Sequence, residues 1–137
     1  MIRSSLLRGL AALLLSTAVL VGTSACGSTT DSPATELDAA AFGERVAAEG
    51  TVVLDVRTPD EFAEGHLPDA VNIDLESGDF AAQIDPLDHD ATYAVYCRSG
   101  NRSAQALGIM QDAGFTDVAH LLGGIGAWQQ AGGTVVS

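Results

Sequence analysis

From residue 37 onward the chain swaps between two hydrophobic spacings, and the swaps mark its elements. Asp38 or a neighbour caps a helix carrying Ala39, Phe42, Val46 and Ala47 at three- and four-residue intervals, with Gly50 as its stop. Thr51–Val56, TVVLDV, is a continuous β-branched run suited to a buried parallel strand. Pro59 then opens a helical turn through Glu64, ended by Gly65. Val71-Asn72-Ile73 reads as a second short strand, and Asp79–Ile84 as one or two helical turns before Pro86. Thr92–Tyr96 is strand-like, and the segment from Ser103 carries Ala104, Leu107 and Met110 at helical spacing up to Gly114. Val118–Leu121 is a further strand and Gly126–Gln130 a short helix. Strands alternating with helices across short loops predict an α/β domain built on a parallel sheet.

The chemistry concentrates where the Thr92–Tyr96 strand ends. Cys97 is followed by Arg98-Ser99-Gly100-Asn101-Arg102 and then by Ser103 at the helix start. In an open α/β sheet, ligands bind at such strand-to-helix turns. Small residues let successive N–H groups turn inward around an anion, and the helix N-terminus adds partial positive charge. Two guanidiniums within five residues of the sulfur favour the thiolate, so Cys97 is expected to be a reactive thiol.

CRSGNRS resembles the active-site loop of the rhodanese family of sulfurtransferases, whose pattern is often written CRxGxR. LDVRTPDEFAEGHLPDAVNID at Leu54–Asp74 is similar to that family's first signature, and LLGGIGAWQQAG at Leu121–Gly132 to its last. The three motifs come in family order and cover the chain from about Leu37. The resemblance implies a three-layer domain with a central parallel β-sheet flanked by helices. It implies sulfur transfer in two displacements: Cys97 takes the outer sulfur of an anionic donor such as thiosulfate as a persulfide, and cyanide or a thiol removes it. No metal or organic cofactor is implied. Arg98 and Arg102 would hold the donor's oxyanion, and the loop Arg98–Ser103 (Ser99, Gly100 and Asn101 included) would cradle the sulfur. His66, in the family's glycine-histidine signature, belongs to the scaffold.

Asp55 and Arg57 fall at the same end of a parallel sheet as Cys97. Asp55 either accepts hydrogen bonds from the Cys97 loop or pairs with an arginine, or it simply fixes its own turn while Arg57 pairs with Glu61 four residues on. The second arrangement is expected. His89 and His120 give no chemical signal, and Trp128 reads as core or rim packing on a short final helix.

Before residue 37 the pattern is of another kind. Arg3 and Arg8 precede an apolar run, Leu10–Gly22, of signal-peptide length and short of a membrane span. Thr23-Ser24-Ala25-Cys26 resembles a bacterial lipobox, with Thr23 where an aliphatic residue is usual. Residues 1–25 are therefore expected to be a lipoprotein signal peptide, Cys26 the lipidated residue, 26–36 a flexible Ser/Thr/Pro linker and 37–137 the domain. An exported domain held at the membrane by a lipid follows as an expectation.

Charge and cysteine count narrow the partners. There is no lysine, and without Arg3 and Arg8 four arginines face eighteen carboxylates, a formal charge of −14. Such a surface excludes nucleic acid, whose phosphates need a basic face. Acylation of Cys26 would leave Cys97 unpaired, and no CxxC or His/Cys cluster suggests a metal. Two other classes compete with sulfur transfer. A phosphatase or arsenate reductase also uses a Cys-led anion loop, but tyrosine phosphatases place the arginine six positions after the cysteine, where this chain has Ser103. A sulfur carrier or binding module without turnover is the other.

Overall fold

The computed structural model describes residues 35–137. The expected signal segment, the lipobox with Cys26, and the linker up to residue 34 lie outside the described residues. Glu36, the last residue of the stretch read as linker, is already strand. The order of elements is β1 (Glu36–Leu37), α1 (Ala39–Ala47), β2 (Val52–Asp55), α2 (Pro59–Glu64), β3 (Val71–Asn72), α3 (Phe80–Ile84), β4 (Thr92–Tyr96), α4 (Asn101–Asp112), β5 (Asp117–Leu121) and α5 (Gly124–Gln130). All strand pairs are parallel, in the order β1-β5-β4-β2-β3.

Helices cover both faces, and the two-residue alternation of the strands decides which side chain goes where. Leu54, Tyr93, Val95 and Val118 meet Phe80 and Ile84 of α3 and Ala106, Leu107 and Met110 of α4. Val53, Ala94, Tyr96 and Leu121 meet Phe42 of α1 and Ile125 of α5, with Trp128 packed at the margin. The expected three layers are therefore present. Trp128 also stands edge-on to Phe42, with ring centres 6.1 Å apart, as a packing residue would.

The caps follow the sequence closely. Asp38 accepts from Ala41 N at 2.9 Å, and Thr58 and Glu61 form a reciprocal capping box on α2 behind Pro59. Boundaries shift where backbone geometry overrides side-chain spacing. α4 begins at Asn101, two residues before the expected start, because Gly100 at φ 100° is its N-cap. α5 begins at Gly124 for the same reason, after Gly123 at φ 73°. A 3-10 turn at Leu75–Ser77 and an antiparallel bridge between His66 and Val136 complete the fold.

Connectivity fixes where a ligand belongs. From β2 the chain moves outward to β3, then returns to β4 on the other side of β2 and continues to β5. The direction of winding thus reverses between β2 and β4, and the crevice beyond their carboxyl ends is the binding position of an open α/β sheet. Asp55 ends β2 there with Arg57 just beyond it, and Cys97 follows β4.

Candidate active site

Cys97 is buried, 1% exposed, and its sulfur is enclosed by the turn that follows it. Gly100 N–H donates to Sγ at 3.0 Å, and Ser103 Oγ lies 3.5 Å from it on the first turn of α4. Burial pushes the thiol up, but the Ser103 hydroxyl and the backbone N–H groups of Ser103, Gly100 and Ser99 outweigh it, so the thiol lies below its ordinary value. The Arg98–Ser103 segment thus turns backbone N–H groups and one hydroxyl toward the sulfur. Ser99 contributes its backbone N–H, and both Ser99 and Asn101 are themselves exposed.

The glycine-rich turn before α5 supports this loop from behind. Ile125 N–H donates to Cys97 O at 2.8 Å. Gly124 has φ +60°, and a Cβ on it would come within 2.4 Å of the Arg98 carbonyl. Only glycine allows that approach.

The arginines divide their work. Glu61 Oε2 accepts from Arg102 Nη1 at 2.8 Å, and its Oε1 accepts from Arg102 Nη2 at 2.9 Å and from Arg98 Nε at 2.8 Å. Arg102 Nη1 also reaches Glu76 at 3.1 Å. Hydrogen bonding to Arg102 and Arg98, against the cost of burial, holds the Glu61 carboxyl far below the usual carboxylate range and Arg102 correspondingly high. Arg102 thus has its fork committed to carboxylates, while the Arg98 side chain, 63% exposed, is bound only through Nε among the described residues. A cleft of about 260 Å³ opens beside the loop, lined by Arg57, Gly65, Arg98, Ile125, Gly126 and Gln129 among others.

Asp55 and Arg57 depart from the expected pairing. Asp55 is fully buried and accepts from the Arg57 backbone N–H at 2.9 Å, from Nε at 2.9 and 3.0 Å, and from Nη2 at 2.6 Å. Arg57 Nη2 continues to Gly65 O at 2.7 Å, and its guanidinium lies 5.6 Å from the centre of the Tyr96 ring. Arg57 therefore pairs with Asp55 and not with Glu61, because the Glu61 carboxylate is already occupied by the Cys97 loop. Asp55 fixes its own turn, as expected, and in doing so presents Arg57 to the cleft.

Two residues take places the sequence reading does not give them. Glu61, expected to pair with Arg57, instead closes the capping box T-x-x-E of α2 and holds Arg98 and Arg102. His120, read as without signal, is 2% exposed, and its Nδ1 lies 3.1 Å from Ser103 Oγ. His66 stacks on Phe62, with ring centres 3.7 Å apart and Nδ1 3.0 Å from Phe62 O, contacts suited to a scaffold residue. Among the described residues no cluster of His, Cys, Asp and Glu has the geometry of a metal site.

A parallel five-stranded sheet with a cysteine in an N–H-lined turn at its switch point defines a class, and comparison with known proteins gives that class its family. The sequence model of the Rhodanese-like domain matches residues 38–131, and the chain belongs to this family. It is 36% identical over 103 residues to a sulfurtransferase of Allochromatium vinosum, covering 74% of this chain and 94% of that protein. It is 38% identical over 95 residues to the putative sulfurtransferase YtwF of Bacillus subtilis, covering 69% and 89%. Among solved structures, a rhodanese-related protein from Thermoplasma volcanium superposes with a TM-score of 0.66 at 33% identity, covering 74% of this chain and 96% of the other.

Proposed function

We propose that this protein is a sulfurtransferase working through a Cys97 persulfide, with thiosulfate or a similar anion as donor and cyanide or a thiol as acceptor. The observation that carries the reading is the Gly100 N–H at 3.0 Å from a buried Sγ whose pKa is lowered. In the first displacement the Cys97 thiolate attacks the outer sulfur of the donor. A new S–S bond forms, the donor's S–S bond breaks, and its electron pair leaves on sulfite. In the second, the acceptor attacks that same sulfur, and the pair of the breaking bond returns to Cys97 as thiolate. Charge is conserved in both steps, so neither needs an oxidant or a resident metal. The loop N–H groups serve the thiolate and, once loaded, the persulfide anion. Arg98, exposed at the cleft with Arg57 nearby, is the group suited to the donor's oxyanion. Arg102 acts as a bracket that ties the loop to α2.

The short turn favours this reading over a phosphatase. Four residues after the cysteine the chain is already helix, which makes a cradle for one sulfur atom rather than for a tetrahedral phosphoryl group. The membrane placement is proposed from the sequence alone: Cys26 carries a lipid, and the domain works outside the cytoplasm.

Mass spectrometry of the purified chain before and after thiosulfate tests the proposal. A gain of one sulfur on Cys97, removed by cyanide as thiocyanate, is the expected result. Hydrolysis of an aryl phosphate without sulfur gain would replace the reading by a phosphatase, and neither reaction would leave a binding module.

A further inference from the structure

His120 sits where the alternation of β5 calls for an apolar residue. Val118 and His120 share the face turned toward α4, and Val118 is core there. A polar ring 2% exposed in such a place is costly unless its nitrogens find partners. Nδ1 finds Ser103 Oγ at 3.1 Å, and that oxygen is 3.5 Å from Cys97 Sγ. Nε2 is buried without a hydrogen bond and lies 3.7 Å from Glu36 Oε1 on the edge strand β1. The four side chains therefore form a file, Cys97–Ser103–His120–Glu36, running from the nucleophile to the outside of the sheet. Glu36 and, through Ser103, Cys97 are the titratable groups that the contacts of His120 reach among the described residues. α4 contributes only the Ser103 hydroxyl.

A single hydroxyl proton decides what this file does. With a neutral ring whose Nε2 carries the hydrogen toward Glu36, Ser103 donates to Nδ1 and can only accept from Cys97. With both ring nitrogens protonated, Nδ1–H donates to Ser103 and the hydroxyl proton is free to donate to the sulfur. Ser103 Oγ also lies 3.1 Å from Gly100 O, which competes for that proton whenever the ring does not orient the hydroxyl.

We propose that His120 is the proton acceptor for the Cys97 thiol, acting through Ser103. In the step, the S–H bond breaks as its proton moves to Ser103 Oγ, and the original O–H bond breaks as that proton moves to His120 Nδ1. The electron pair stays on sulfur, and the product is a thiolate and an imidazolium whose Nε2–H faces the Glu36 carboxylate. No net charge is created and no co-reactant is needed. His120 touches no reacting atom, so it is a positioning residue. The inference rests on the reading of Cys97 as a nucleophilic thiolate, and it deepens that reading by naming where the proton goes.

The test uses the full chain carrying C26S, which leaves Cys97 the sole thiol. The thiolate is titrated by its ultraviolet absorbance and by the rate of iodoacetamide alkylation, neither of which requires sulfur transfer. H120F and S103A are each expected to raise the apparent thiol pKa by about half a unit to one unit. The limiting alkylation rate at high pH should rise by no more than about threefold, as the more basic thiolate is the better nucleophile. The double variant should shift no further than S103A, because His120 acts only through Ser103. An unchanged pKa in an H120F chain with the parent's circular dichroism overturns the proposal, and so do additive shifts in the double variant. If H120F does not fold, H120N takes its place. Asn can contact Ser103 but cannot take up a proton, so an unchanged thiol pKa in H120N is equally fatal. Persulfide formation with thiosulfate is read separately on the parent chain. Its absence there overturns the sulfur-transfer reading, while the thiol titrations still decide the fate of the relay.

Discussion

Glu61 on α2 receives both Nη atoms of Arg102 on α4, at 2.8 and 2.9 Å, and so joins the element after β2 to the element after β4 across the mouth of the site. The same carboxylate holds Arg98 Nε at 2.8 Å. One acid thereby sets the charge balance of the whole loop.

Removing that acid should show both its roles. Glu61→Gln is expected to lower stability by about 2 kcal/mol, the scale of hydrogen bonds to charged groups. Urea unfolding at neutral pH measures it. Because the Glu61 pKa is depressed in the folded state, its contribution is complete above the unfolded carboxylate value and declines as pH falls through the acid range. The parent and E61Q stability curves should therefore converge toward low pH. With one negative charge gone beside the cleft, the KM for thiosulfate should fall, most visibly at low salt.

Arg98→Ala is expected to act on the donor and not on the nucleophile. Loss of this exposed guanidinium should raise the KM for thiosulfate about fivefold, within the range of a solvent-screened ion pair. Alkylation of Cys97 by uncharged iodoacetamide should be nearly unaffected. An equal loss in both reactions would mean that Arg98 holds the loop in shape instead.

Asp55→Asn leaves the Arg57 guanidinium buried without its counter-charge. The expected cost is about 3 kcal/mol, at the lower end for breaking a buried pair. Denaturant midpoints compared at constant slope give the value.

Gly124→Ala should damage activity through geometry alone. The added methyl would meet the Arg98 carbonyl carbon and oxygen and Cys97 O, all rigid backbone, so the loop must move. A destabilisation of about 2–3 kcal/mol with loss of persulfide formation is expected. Gly50→Ala is the control, since Gly50 has a similar positive φ but nothing within 4 Å of its added methyl. It should cost only about 1 kcal/mol and leave transfer intact.

The thiol itself predicts a pH profile. Since its pKa is lowered in the fold, alkylation should reach half its maximum at a lower pH than in the unfolded chain. By linkage, the folded thiolate adds stability above the unfolded pKa, and that increment is lost as pH falls through the folded one. Cys97→Ser should remove both the profile and the increment.

The legible parts of the site were those made by sequence neighbours. Strand, cysteine, small residues and helix follow one another between Thr92 and Asp112, so local periodicity and turn chemistry carried the Cys97 loop. The α/β class and its parallel sheet were legible for the same reason, from alternating spacings and caps, while the three layers came from the family resemblance. What was hidden lay in pairings between distant residues. Glu61 and Arg102 are 41 positions apart, and the chain marks Glu61 only as a helix cap. Without knowing that Arg98 and Arg102 claim Glu61, spacing alone assigned it to Arg57. His120 and Ser103 are 17 apart, but here a signal existed. Reading DVAHL with a two-residue period puts His120 beside Val118 on the buried face, and a histidine at a core position asks for a partner. β1 has two residues, too few for any period to register.

The seclusion of Cys97 has a consequence for what the protein can exchange with. A sulfur 1% exposed at the bottom of a turn is shielded from anything broad. Two copies cannot meet sulfur to sulfur, and a bulky aromatic disulfide should react far more slowly than a slender alkylating agent. The turn thus works as a size filter, admitting cargo of one or two atoms at the tip of a narrow molecule. A thiol placed so deep is protected from bulky oxidants by being out of reach.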